Sequence, residues 1–72
     1  MPDRDPRIDP QPGDSVVAPI GNEYVTRTVL DEKFPNPEYL AYIGSNFYGA
    51  RVCSCRSWRS WCRKNKAEVV NE

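Results

Sequence analysis

The sequence predicts a small, mainly β domain, α+β by content, and three observations carry that reading. Short segments dense in Val, Tyr, Thr and Ile follow one another from residue 15 to residue 54, separated by Gly, Pro and Asn turn signals. Only one stretch, CSCRSWRSWCRKNK at 53–66, changes to helical spacing of its large side chains. The chain of 72 residues is one domain, and a core of that size buries only ~60% of the unfolded surface, so two Trp, four Tyr and two Phe must carry much of it.

Residues 1–12 hold Pro2, Pro6, Pro10 and Pro12 among acids and arginines, a composition that reads as a disordered, extended arm. Ile8 is its one apolar residue able to dock, and the folded domain is expected over 13–72. Pro12-Gly13-Asp14 is a turn signal, after which 15–20 (SVVAPI) reads as the first strand. Pro19 lacks a ladder donor, so that strand should lie at an edge or bulge near its end. Residues 23–30 (EYVTRTVL) form the clearest strand, with Val25 and Val29 expected inward and Arg27 near an open rim, its stem packed and its head wet.

Residues 31–37 (DEKFPNP) are a loop, because each proline biases its predecessor away from helix, and Phe34 within it is expected to plug the core. Residues 39–43 make the third strand. Either Leu40 and Tyr42 or Tyr39, Ala41 and Ile43 can face inward. Gly44-Ser45-Asn46 turns the chain into a fourth strand over 47–54, in which Gly49 marks a bulge or a close backbone approach. Ser54 is a natural N-cap, and Cys55, Trp58, Trp61 and Cys62 share one helical face, with Arg56, Arg59 and Arg63 largely off it. The helix should stop after Asn65, and 67–70 (AEVV) read as the last strand. Four strands, a short helix and a fifth strand are the connectivity of an SH3-like small barrel, with the helix capping it through its tryptophans. Both tryptophans are read as core, so alanine at either is expected to unfold or nearly unfold the domain.

The formal net charge of zero hides an asymmetry. Residues 1–38 hold eight acids against four bases, and residues 39–72 hold Arg51, Arg56, Arg59, Arg63, Lys64 and Lys66 against Glu68 and Glu72 alone. A polyanion would meet the second half. No stretch approaches the ~20 apolar residues of a membrane span, and the first residues lack the apolar core of a signal peptide, which points to a cytoplasmic protein without membrane association.

Three cysteines in a reducing compartment are expected as free thiols. Cys53, Cys55 and Cys62 lack the histidine or fourth cysteine of a structural zinc site, so no metal and no cofactor is expected. Neighbouring arginines and a helix N-terminus would lower a thiol pKa. With no histidine as base, however, no catalytic residue is assigned, and no small-molecule substrate is expected.

Pro12-Gly13-Asp14, Cys53-Ser54, Trp58-Arg59, Trp61 and Ala67-Glu68-Val69-Val70 together give the chain a resemblance to small uncharacterised proteins encoded by phages and prophages. The resemblance implies a bacterial or phage cytoplasm and carries no activity or functional residue with it. From the residues themselves, the leading expectation is a non-catalytic binding module. Its basic face (Arg51, Arg56, Arg59, Arg63, Lys64, Lys66) would contact nucleic acid or a nucleic-acid-associated protein. The alternative is a module that engages a host or phage protein through Tyr39, Tyr42, Phe47 and the proline arm, without nucleic acid. A thiol- or metal-dependent protein is the third and weakest reading.

Overall fold

A computed structural model describes residues 5–70. Along the chain run β1 (Ser15–Ile20), β2 (Glu23–Val29), β3 (Tyr39–Gly44), β4 (Arg51–Ser54), α1 (Cys55–Lys64) and β5 (Glu68–Val69). The five strands make one antiparallel sheet in the order β4-β3-β2-β1-β5. β4 and β5 are its two edges and are not bonded to each other, so the sheet is unclosed, and with one short helix the fold is mainly β.

Register decides which face is inside. Directly opposed residues of an antiparallel pair share a face, and Ala18 opposes Val25, Val29 opposes Tyr42, and Leu40 opposes Cys53. Val16, Ala18, Val25, Val29, Leu40 and Tyr42 are all buried, so Val25 and Val29 do face inward and the choice on β3 falls to Leu40 and Tyr42. Ala41 points the other way, opposite the larger Val52, and is buried as well. Pro19 lies beyond the short β5 ladder, which reaches only Val16 and Val17, so its missing N–H leaves no gap in that ladder.

α1 covers the inner face. Trp58 is wholly buried at the centre of a cluster with Val16, Ala18, Val29, Leu40, Tyr42, Cys62 and Ala67. Its ring meets Tyr42 edge-on at 5.8 Å, and Tyr42 meets Phe47 in the same way at 5.8 Å. Trp61 is only partly buried, at the edge of this cluster.

One segment differs from expectation. The fourth strand begins at Arg51, because residues 45–50 turn away from the ladder. The Phe47 ring occupies the space where a Cβ on Gly44 would stand, a packing that only glycine permits. Gly49, with φ +82 and open space around it, is a turn glycine of that loop and neither bulges nor approaches another chain segment.

The proline-rich arm also makes contacts with the domain. Residues 1–4 of the expected arm lie outside the described residues, but from Asp5 the chain is docked. Asp5 O accepts from Ile8 N at 2.8 Å and Asp9 N at 2.7 Å, closing a turn, and Pro6 is buried with its carbonyl accepting from Trp58 Nε1 at 2.9 Å. A buried indole N–H needs an acceptor, and this carbonyl supplies it.

These contacts separate the two tryptophans. Trp58→Ala removes a fully buried ring and should cost ~3–5 kcal/mol, whereas Trp61→Ala should cost clearly less. Trp58→Phe keeps most of the packing but loses the Pro6 bond, and is expected to cost ~1–3 kcal/mol. Urea unfolding followed by circular dichroism ranks the three; equal losses at 58 and 61 would contradict the burial difference.

Candidate functional site

The basic helix is set by its two ends. At the start, Ser54 sits in extended backbone and its Oγ accepts from Ser57 N at 3.1 Å. At the end, Asn65 N and Nδ2 both reach Trp61 O at 3.0 Å, Lys66 N reaches Arg63 O, and Ala67 N reaches Cys62 O at 2.9 Å. This is a Schellman closure, in which the residue after the C-cap takes a left-handed conformation usually given to glycine. Here that residue is Lys66, with φ +56.

With Trp58 and Cys62 buried, the outer face of α1 is Arg56, Ser57, Arg59, Ser60 and Arg63, which line one shallow surface. The arginines stand at i, i+3 and i+7 over ~10 Å of helix axis. Lys64 continues the row of Arg56 and Ser60 and is exposed. Arg59, Arg63 and Lys66 also edge a second groove on the arm side of the helix.

Of the six basic residues expected at the site, α1 and its closing turn therefore bring Arg56, Arg59, Arg63, Lys64 and Lys66 to neighbouring surface. Arg51 stands apart: it opens β4, and its guanidinium lies 3.8 Å from the Phe47 ring centre.

Arg7 was missed. It lines the arm side of the same groove, donating to both carboxylate oxygens of Asp5 at 2.9 and 3.0 Å and to Ala67 O at 3.3 Å. These bonds hold the Asp5 carboxyl below the usual carboxylate range. Nothing in a proline-rich sequence announces such a contact sixty residues away.

Arg27 was placed at a wet rim. Its guanidinium instead lies 3.8 Å over Trp61 and 4.6 Å over Tyr42, with Nε buried and without a partner among the described residues. Burial lowers its pKa, and the ring faces take the place of water around the cation.

The thiols run opposite to the direction that activation requires. Burial raises Cys53, Cys55 and Cys62, the last to about 11, and outweighs the lowering by Arg27 at Cys53 and Cys62 and by Arg59 at Cys55. Among the described residues no three of His, Cys, Asp and Glu come together in a way that could hold a metal ion.

The sheet's outer face carries Tyr24, Tyr39, Ile43 and Val52, all exposed, while Phe47 is half-buried. Tyr42, expected as a contact residue of a protein-binding face, is core and cannot serve there. Phe34 is half-buried and lines a cavity with Val29 and Leu40. No helix of the described residues is long and apolar enough to cross a membrane. Comparison with protein-family models, curated proteins and solved structures finds no match, so the chemistry of these surfaces carries the functional argument.

Two outcomes follow. The folded state holds the Cys62 proton more tightly than the unfolded chain does, so the stability linked to it is complete below pH 9 and is lost as pH rises through about 11. Thiol labelling at pH 8 should therefore spare Cys62 until urea unfolds the protein, and labelling of native Cys62 at the rate of a free thiol would refute its burial. Lys66→Gly should relieve the left-handed backbone and raise stability by about 1 kcal/mol, read as a higher urea midpoint.

Proposed function

We propose that this chain is a non-catalytic binding module that holds nucleic acid, or a protein working on it, on the arginine face of α1. One observation carries the proposal: Arg56, Arg59 and Arg63 are exposed along one helical row, and the helix holds no Asp or Glu. A carboxylate within the helix would offset these charges, and α1 supplies none. Each strand of a duplex presents one phosphate per ~3.4 Å of axis, so ~10 Å of helix matches about three charges. Binding would release the counterions those phosphates hold, with Arg56, Arg59, Arg63 and Lys64 as first contacts.

The fold part of the proposal is an SH3-like barrel opened along one seam. The strand order β4-β3-β2-β1-β5, with the helix between the fourth and fifth strands, supports it. The sequence resemblance supports a phage or prophage origin and a cytoplasmic setting. A second reading rests on Tyr39, Ile43 and Val52, exposed together on the sheet's outer face: a module that docks a host or phage protein there, without nucleic acid.

An amide NMR titration with a DNA duplex at low and at moderate salt tests the first reading. Shifts should concentrate on residues 56–66, and log K should fall with log salt at a slope of about −3 for three phosphates. A combined Arg56→Ala, Arg59→Ala, Arg63→Ala variant should stay folded and lose this binding. Salt-independent shifts at Tyr39, Ile43 and Val52 on adding a protein partner, with none from DNA, would favour the second reading.

A further inference from the structure

The arginine row is not a free ridge. Beside its C-terminal half stands the turn of residues 5–9, tied to the helix by Trp58 Nε1 to Pro6 O at 2.9 Å and by an Arg59 guanidinium nitrogen to Ile8 O at 3.3 Å. Between the two lies a groove of about 550 Å³, a size that suits one small molecule or one nucleotide unit. Its charge is lopsided, with Arg7, Arg59, Arg63 and Lys66 against Asp5 alone. Arg7 is committed to Asp5 and Arg59 donates to Ile8 O, which leaves Arg63 and Lys66 as its phosphate contacts. Its lining is otherwise apolar: Ile8, 58% exposed on the arm wall, and the buried Cys62 and Ala67 beneath.

We infer that this groove seats an unpaired nucleotide of a single strand, the base against Ile8 and the phosphate on Arg63 and Lys66. The inference rests on the polyanion reading above and deepens it. A duplex major groove is ~12 Å wide, and a helix with its side chains is already ~10–12 Å across, so α1 with a wall of chain beside it does not enter one. An apolar patch next to cations also has nothing to contact on a duplex backbone, whereas an unstacked base covers it and escapes water. Lys66 fits the same account, since it holds a cation at the groove edge in a backbone conformation where glycine would be more stable.

The test is fluorescence anisotropy with a labelled single-stranded oligonucleotide and a duplex of equal length, at two salt concentrations, on the full chain and two variants. The single strand should bind about three- to tenfold more tightly than the duplex. Ile8→Ser, at an exposed position, should remove that preference and leave the salt slope unchanged, with an unaltered amide spectrum elsewhere showing the fold intact. Lys66→Gly should weaken both ligands while the fold becomes more stable. Equal affinity for the two ligands, or an Ile8→Ser variant that keeps the preference, overturns the groove assignment and leaves polyanion binding standing. Absence of binding by either ligand at low salt overturns both.

Discussion

The hydrogen bond from Trp58 Nε1 to Pro6 O constrains more of this molecule than any other contact. A chain this short needs a large ring at the middle of its core, and Trp58 fills that place with no exposed surface. The ring brings an N–H with it, and the acceptor comes from backbone. Pro6 supplies it because residues 5–9 turn back on Asp5 O and lay their carbonyls along the helix. The arm is thus held by a requirement of the core. The groove between arm and helix is the by-product of meeting that requirement.

The first two strands and the helix were legible because each is bounded by a residue whose chemistry stops it. Gly21 and Asn22 separate β1 from β2, Ser54 caps α1, and Asn65 ends it. The inward set of β2 was readable from Val25 and Val29, since an arginine between two buried valines can still be housed by its stem. Arg27 shows where that reasoning ran out. The rings that receive its head, Tyr42 and Trp61, lie on other elements, and no spacing within 23–30 points to them.

The start of the fourth strand and the contacts of the arm were not legible, for the same kind of reason. Residues 47–50 have strand composition, and only the space above Gly44 lets Phe47 fold back and pull them out of the ladder. Proline-rich composition says that a segment cannot bury much surface by itself. It does not say that a tryptophan fifty-two residues away lacks an acceptor. The cationic row was visible from its i, i+3, i+7 spacing, while its neighbour Arg7 became visible only with the arm in place.

Several local choices in and around α1 work against stability, in a domain with little to spare. Arg56 stands in the first turn, where the helix dipole disfavours a cation by ~0.3–1 kcal/mol, and no acid accompanies it there. Lys66 adopts a left-handed conformation that costs an L-residue ~1–2 kcal/mol. Arginines at i and i+3 or i+4 repel one another along the row. A sequence shaped only for folding would place Asp or Glu at the first turn and Gly at position 66. All three departures put positive charge on two neighbouring surfaces that share Arg59 and Arg63. Local rules broken together in one direction are the pattern expected of a functional surface, which is what the proposed site requires. The requirement that fits a strip of cations edged by an apolar wall is an anion with something apolar attached.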